Sequence, residues 1–374
     1  MKSRFLSLLI CLCTALTVFS QSKQLEPAVS DDVMHQIYDK IKTPYKYGMV
    51  MIHDDTSSMI DCATIFKQDS LWYMTYLVFE GKGYETWLAK SDNLLDWETI
   101  GTVLPYVSVH DNKWNQSAGY PSLIDYNWGG SYAISKYDNK YWMSYFGSNS
   151  MGYERGKLSI GMAFTESNVT EAHAWNRLDK PIMATNDADA GVWESDKLYK
   201  SSIIWDSAKT TGSQFVMFYN AVGDTSTFEN WVERIGVATS DDMVNWKRYE
   251  GNPVIDHGVG LTGDAVIQKI DSLYVMFYYG AFWPKGRKDA FNRFACSYDL
   301  LHWTDWTGED LISTSENYDE KYAHKPYVVK HNGVVYHFYT AVNKLEQRGL
   351  AVATSKDLGK STLKFEKVDL KLRR

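Results

Sequence analysis

From about residue 60 onward the chain alternates strand-length apolar runs with short polar turns, and the alternation itself repeats. Ala63-Thr64-Ile65-Phe66 is followed by a polar turn and then by Leu71-Trp72-Tyr73-Met74-Thr75-Tyr76. A further run in each unit, such as Ile235-Gly236-Val237-Ala238-Thr239, leads into a recurring closing segment. Its first copy is Ser91-Asp92-Asn93-Leu94-Leu95-Asp96-Trp97, and the same spacing returns from Ser240 to Trp246 and from Ser297 to Trp303. A truncated copy begins at Ser355-Lys356-Asp357-Leu358, and a looser one runs from Thr165 to Trp175. Units that recur in this way cannot bury an apolar face alone and must stack on one another. Five copies predict an all-β fold, a five-bladed β-propeller with four-stranded antiparallel blades around a central channel.

Blade one is expected over 60–66, 71–79, 85–91 and 97–103, and blade two over 131–136, 141–146, 157–164 and 175–178. Blade three takes 199–205, 215–221 and 234–239, and blade four 264–267, 273–279 and 293–297. Blade five starts near His324 and runs through 334–341, 349–354 and 363–368. The turns between paired runs are of the Asn/Asp/Gly/Ser kind that tight hairpins require. In this reading both end blades own four strands, so no strand exchange between the termini is expected. Ring closure then rests on apolar packing between blades one and five.

The rest of the chain divides simply. Residues 1–20 read as an export signal: Lys2 and Arg4, an apolar stretch from Phe5 to Val18, then small residues before Gln21. That stretch is short for a membrane span, and Cys11 and Cys13 lack lipoprotein-type neighbours, so a soluble periplasmic or secreted protein is expected. Residues 21–50 form an N-terminal extension with a short helix between Asp31 and Ile41, and 51–374 form the catalytic propeller. Past the signal only Cys62 and Cys296 remain, read as two buried thiols. Net charge is −7 with no basic stripe, which excludes nucleic-acid binding. Aromatic residues make up 15% of the chain, enough both to fill blade interfaces and to stack on sugar rings. No obligate protein partner is indicated.

In a propeller the first strand of each blade lines the channel, and its leading end opens on one face. Distance to the following hairpin turn measures height along that strand. Asp61 lies eight residues before Asp69, His324 eight before Asn332, and Asp264 seven before Asp271. These three are therefore expected side by side at one mouth. Blade two offers Asp125, and blade three offers Glu194 followed by Lys200. Buried carboxylates without partners are costly, so a convergent cluster implies water, a cation or chemistry. Two carboxyl groups, one ionised and one kept protonated, perform glycoside hydrolysis.

The five-blade repeat and its Ser-x-Asp-Leu-x-x-Trp turns, over about residues 51–370, resemble the five-bladed propeller glycosidases, especially glycoside hydrolase families 43 and 117. That resemblance implies inverting, exo-acting removal of terminal sugars from plant or algal polysaccharides. In the family-43 pattern Asp61 would be general base, Asp125 the residue that orients the acid, and Glu194 the general acid. This chain has Asp61-Cys62 where that family has Asp-Pro, and Glu194-Ser195-Asp196 where it has Glu-Gly-Pro. In the family-117 pattern Asp264 and His324 join Asp61, with the histidine as acid. Family 43 also places a histidine beside a channel calcium ion, so His324 is acid, metal neighbour or substrate contact, and a calcium ion remains open although the chemistry requires no cofactor.

Trp193, Trp283 and Trp128 are candidate sugar platforms, with Trp283 foremost; Trp114 and Trp205 are further candidates. Lys200 and Lys325 could reach a substrate oxygen. The repeat residues Trp97, Trp246 and Trp303 are expected in the core, and His302 and His337 are read as structural. His-Glu-x-x-His, paired-Cys, calcium-loop and Gly-x-Ser-x-Gly motifs are absent. Two alternatives stand beside the hydrolase: a family-130-like phosphorylase using Lys200, Lys325 and Arg287, and a non-catalytic glycan-binding propeller.

Overall fold

A computed structural model describes residues 28–53, 58–107, 117–223 and 230–366. The expected export signal and Trp114 lie outside the described residues. Among those described, every strand assigned to a sheet belongs to one of five four-stranded antiparallel sheets, arranged in a ring. Blade one is β2 (Met59–Gln68), β3 (Leu71–Phe79), β4 (Tyr84–Ser91) and β5 (Glu98–Leu104). Blade two is β6 (Ala118–Pro121), β7 (Tyr141–Gly147), β8 (Ser159–Thr165) and β9 (Asn176–Arg177). Blade three is β10 (Lys197–Trp205), β11 (Phe215–Val222), β12 (Glu233–Ser240) and β13 (Lys247–Arg248). Blade four is β14 (Leu261–Ile270), β15 (Leu273–Ala281), β16 (Ala290–Ser297) and β17 (Thr304–Asp305).

Blade five departs from expectation. It consists of β18 (Tyr322–His331), β19 (Val334–Val342), β20 (Arg348–Thr354) and, as its outermost strand, the N-terminal β1 (Tyr45–Met51). β1 runs antiparallel to β20, from Tyr45 opposite Thr354 to Met51 opposite Leu350. The termini therefore do share a blade, and strand exchange closes the ring. Residues 363–366, the described part of the last strand expected over 363–368, lie outside any sheet. The difference is physical: β1 buries Met49, Val50 and Met51, whereas Leu363 stays exposed. Covering the three β1 residues is worth roughly 1.5–3 kcal/mol each. Before β1, helix α1 (Asp31–Ile41) buries Met34, Ile37 and Ile41 against blades four and five, on the outside of the ring. No helix of the described residues is long and apolar enough to cross a membrane.

The repeated segment is the turn between the third and fourth strands of a blade. Ser91 Oγ accepts from Leu94 N (2.9 Å), Ser240 Oγ from Met243 N (3.1 Å) and Ser297 Oγ from Leu300 N (3.0 Å). Leu94, Met243 and Leu300 are each left-handed, with φ of 70°, 65° and 68°. The indole of the closing Trp then donates to the carbonyl of that residue: Trp97 to Leu94, Trp246 to Met243 and Trp303 to Leu300. The motif thus encodes one turn geometry, held by a side-chain cap and an indole lock.

The inner strand of blade two is also not where the sequence placed it. β6 is only Ala118–Pro121, while 131–136 makes isolated bridges on the far side of the channel, such as Ile124 with Ile134. Cys62 and Cys296 are buried free thiols, as expected.

Candidate active site

Inner strands β2, β10, β14 and β18 each carry a bulge near their leading ends, where two residues face one on the neighbouring strand. The paired extra residues are Cys62-Ala63, Tyr199-Lys200, Asp264-Ala265 and Lys325-Pro326. Cys62, Asp264 and Lys325 are left-handed there, with φ of 48°, 58° and 58°. Structural equivalence therefore runs through Cys62, Asp264 and Lys325; Asp61 and His324 sit one residue earlier. A one-residue offset changes which way a strand side chain points, and it puts Asp61 and His324 out of register with Asp264.

Around these bulges lies a cavity of about 600 Å³ that opens on one face of the ring. Cys62, Lys200, Asp264, His324 and Lys325 line its depth. Tyr84, Phe146, Tyr153, Trp231, Tyr279 and Tyr322 form aromatic walls. Lys200 and Tyr120 also line a chamber of about 30 Å³ beneath, so the channel narrows at these two residues and the cavity ends there.

Two further carboxyl groups reach this cavity from outside the inner strands. Glu233 opens β12, and Glu154 lies on the connection between β7 and β8. Asn220 Nδ2 donates to Glu233 Oε1 (2.9 Å) and to Asp264 Oδ1 (2.8 Å), and Asp264 N donates back to Asn220 Oδ1 (2.7 Å). Tyr279 Oη lies 3.3 Å from Glu233 Oε1. Burial, then the neighbouring Asp264 and Glu154, push the Glu233 carboxyl up to about 8. Glu154 accepts from Tyr84 Oη at 3.2 Å and is raised by burial against the opposing pull of Lys325. Glu233 thus holds its proton at neutral pH, as a general acid must.

Asp61 has a different position. It is 1% exposed and does not line the cavity. Its Oδ2 is held by Lys325 Nζ (2.6 Å) and Arg348 Nη1 (3.1 Å), and its Oδ1 by Thr340 Oγ1 (2.9 Å) and Cys62 N (3.2 Å). Burial alone would raise its pKa, yet Lys325 and Arg348 hold it well below the usual carboxylate range. With its acceptors filled, Asp61 anchors Lys325 and Arg348 and leaves no lone pair for a water in the cavity.

Glu194 does not reach the cavity either. It lies on a single 3₁₀ turn, Val192–Glu194, where Oε2 takes Arg248 Nε (3.0 Å) and Tyr219 Oη (2.9 Å) and Oε1 takes Gly191 N (3.0 Å). Asp125 staples its own loop on the opposite side of the channel, accepting from Asn127 N (3.1 Å) and from Ser131 N (2.8 Å) and Oγ (2.6 Å). His324 does line the cavity. Its Nδ1 faces Thr340 O at 3.1 Å, and burial followed by the adjacent Lys325 lowers its pKa to about 4. It is neutral near pH 7, which does not suit an imidazolium acid.

Nor do the surroundings of His324 fit a calcium ion. That ion takes six to eight oxygen ligands, whereas the neighbours here are Lys325 and Arg348 and the nearby Asp61 is saturated by them. Among the described residues no group of three or more His, Cys, Asp or Glu side chains is placed to hold a metal.

The expected tryptophan platforms are structural. Trp283 is 6% exposed, stacks on His257 at 3.8 Å and donates to Leu261 O at 2.7 Å. Its neighbour Phe282 faces the cavity instead. Trp193 stacks on Tyr219, Trp128 on Phe277, and Trp205 packs on Phe215. Lys200, by contrast, is in the cavity as expected, and Lys325 joins it. Arg287 is tied to Asp289 and Asp310, away from the cavity. Sequence reasoning missed Glu154, Glu233, Asn220 and Trp231.

No protein-family model matches the sequence, and a comparison with curated proteins returns no match. Solved structures do match. One described as a complex of BT0996 with RGII is 52% identical with a TM-score of 0.86, the alignment covering 91% of this chain and 99% of the matched one. A structure described as a glycoside hydrolase is 51% identical at the same TM-score and the same coverage of both. The fold alone is shared with Zg3597, a family 117 glycoside hydrolase from the marine bacterium Zobellia galactanivorans, at 12% identity, a TM-score of 0.58, and coverage of 89% and 98%. A cavity bearing paired carboxyl groups at the mouth of five blades, together with identity above one half over nearly the whole fold, places this chain among the propeller-type glycoside hydrolases.

Proposed function

We propose that this enzyme is exported and removes terminal sugars from plant-polysaccharide glycans by an exo-acting, inverting mechanism, with RGII oligosaccharide as the first substrate to test. The neighbour solved with RGII supports that choice of glycan. The observation that carries the reading is Glu233: a carboxyl group facing a blind cavity and kept protonated by burial and by two carboxylate neighbours. Glu233 protonates the leaving oxygen. Glu154, on a different connection and with its basicity raised, removes a proton from the attacking water. Asp264 holds the sugar and keeps the proton on Glu233. Because the channel narrows at Lys200 and Tyr120, only a chain end fits, which supports exo-action. Export rests on the basic start and apolar stretch of residues 1–20.

The test is incubation with RGII oligosaccharide and a panel of aryl glycosides, with NMR following the anomer first released. One terminal sugar, freed with inverted configuration by wild type and not by Glu233→Gln, is the expected result. Internal cleavage, retained configuration, or normal turnover by the Gln variant would each contradict the corresponding part.

A further inference from the structure

Lys200 presents an unusual balance of charge and contacts. It is 4% exposed, stands on inner strand β10, and lies where the cavity meets the narrow chamber below. Among the described residues its Nζ has no hydrogen-bond partner. The nearest carboxylate oxygen is Asp264 Oδ2 at 3.6 Å, too far for a hydrogen bond, and the Tyr120 ring lies 5.5 Å away. An ammonium group brings three N–H donors, and burying them without acceptors is costly. On the other side of the gap, Asp264 cannot move to close it. Its Oδ1 and backbone N–H are both fixed by Asn220, and among the described residues Oδ2 receives only the Cys62 thiol at 3.5 Å.

A donor and an acceptor held 3.6 Å apart, each short of a partner, suit a group that accepts from one and donates to the other. A sugar hydroxyl does both at once. Building on the hydrolase reading above, we propose that Lys200 and Asp264 form a clamp that reads a free hydroxyl on the most deeply inserted edge of the terminal sugar. Lys200 donates to the hydroxyl oxygen, and the hydroxyl hydrogen goes to Asp264 Oδ2. The chamber below holds about 30 Å³, too little for a further sugar, so a terminal residue extended at that edge is excluded. The substrate class is therefore a glycan ending in a sugar unsubstituted at this position. The clamp is a specificity-determining element: Lys200 takes no part in the Glu154 and Glu233 proton chemistry, while Asp264 serves both.

The experiment measures binding without turnover. Glu233→Gln, in which an amide stands in for the protonated acid, is compared by titration calorimetry with Glu233→Gln/Lys200→Met against RGII oligosaccharide and the free monosaccharides released from the aryl-glycoside panel. Thermal melting of both proteins is recorded alongside. Loss of a hydrogen bond to a charged group should weaken binding about 10- to 100-fold. Melting should fall only modestly, because the 3.6 Å ion pair with Asp264 is lost but no hydrogen bond among the described residues is. Unchanged affinity in the Lys200→Met protein would overturn the clamp and leave the hydrolase reading intact. Loss of affinity together with a large fall in melting temperature would show a structural counter-ion and overturn it too. If the Glu233→Gln protein binds none of these sugars, both the proposed substrate class and the clamp are wrong.

Discussion

Glu233 and Asp264 share one donor: Asn220 Nδ2 lies 2.9 Å from the first carboxyl and 2.8 Å from the second. Two carboxyl groups tethered this closely repel when both are ionised, and burial strengthens the repulsion. One proton therefore stays on the pair, and Glu233 carries it, up to about pH 8. Activity should fall on the alkaline side as that proton is lost, with a limb near pH 8 in kcat/KM. Glu233→Gln should lower kcat about 10²- to 10⁴-fold while substrate still binds. A pH profile with no alkaline limb below about pH 10 would remove Glu233 from the role of acid.

The same carboxyl makes a prediction about stability. Its folded pKa lies above its unfolded value, so both states are protonated well below the ordinary carboxylate pKa and the group then costs nothing. As pH rises from there toward about 8, the unfolded chain releases the proton and the folded chain keeps it, so stability falls through that window. Glu233→Gln cannot titrate. Its melting temperature relative to wild type should climb between about pH 5 and pH 8, and a constant difference would contradict the assignment.

Asp61 behaves in the opposite sense. Lys325 and Arg348 hold its pKa down, so its contribution is present above the ordinary carboxylate pKa and is lost as pH falls through its folded value. Asp61→Asn leaves two cations facing each other inside the protein. Breaking a buried pair in this way costs about 3–5 kcal/mol. Urea unfolding at neutral pH should show that loss, and the destabilisation relative to wild type should shrink in acid. An Asp61→Asn enzyme as stable as wild type but inactive would restore the base role that family likeness suggested.

The architecture was legible in the sequence because the Ser91, Ser240 and Ser297 turns use identical caps, so one local geometry left one residue pattern. The site was less legible, for two physical reasons. Counting back from the hairpins equated Asp61 and His324, eight residues out, with Asp264, seven out; the bulges at Cys62, Asp264 and Lys325 all lie seven out, so that one-residue difference decides which side chain sits at the bulge. The decisive carboxyl groups also come from outside the inner strands. Glu154 and Glu233 arrive on the connections between second and third strands of blades two and three, 148–158 and 223–232 with the first residue of β12. Those connections open on the same face as the leading ends of the inner strands. Their length, against 80–83 in blade one, was a signal that something other than a turn was being built. Glu194 misled because a buried Glu beside a Trp looks alike in sequence whether it meets a sugar or Arg248.

Glu194 should accordingly matter for folding. Arg248 binds it at 3.0 Å and also holds Asp187 (3.0 Å) and Asp189 (2.7 Å), tying the 184–194 segment to blade three. Glu194→Gln removes the least exposed acid from this network and should lower stability by a few kcal/mol. The fraction that remains folded should keep the wild-type kcat and alkaline limb. A Glu194→Gln protein with normal melting and lost turnover would return this residue to the chemistry.

Closure of the ring gives the last prediction. β1 is the only strand among the described residues that joins its blade from the other end of the chain, and its inner half buries Met49, Val50 and Met51. Met49 packs with Tyr339, Ala351 and Ile312, and Met51 joins the cluster that spans blades one and five. Lys46 adds an ion pair to fully buried Asp319 at 2.5 Å. Met49→Ala should cost about 2–5 kcal/mol, the range for a large-to-small change in a packed core. Met49→Pro, which both removes the buried side chain and fixes the backbone of an irregular closing strand, should cost more and detach β1 from β20. Hydrogen exchange would show the effect directly, with protection lost along β20 before it is lost in blade three. If the ring closed by apolar packing alone, β20 would remain protected in the proline variant.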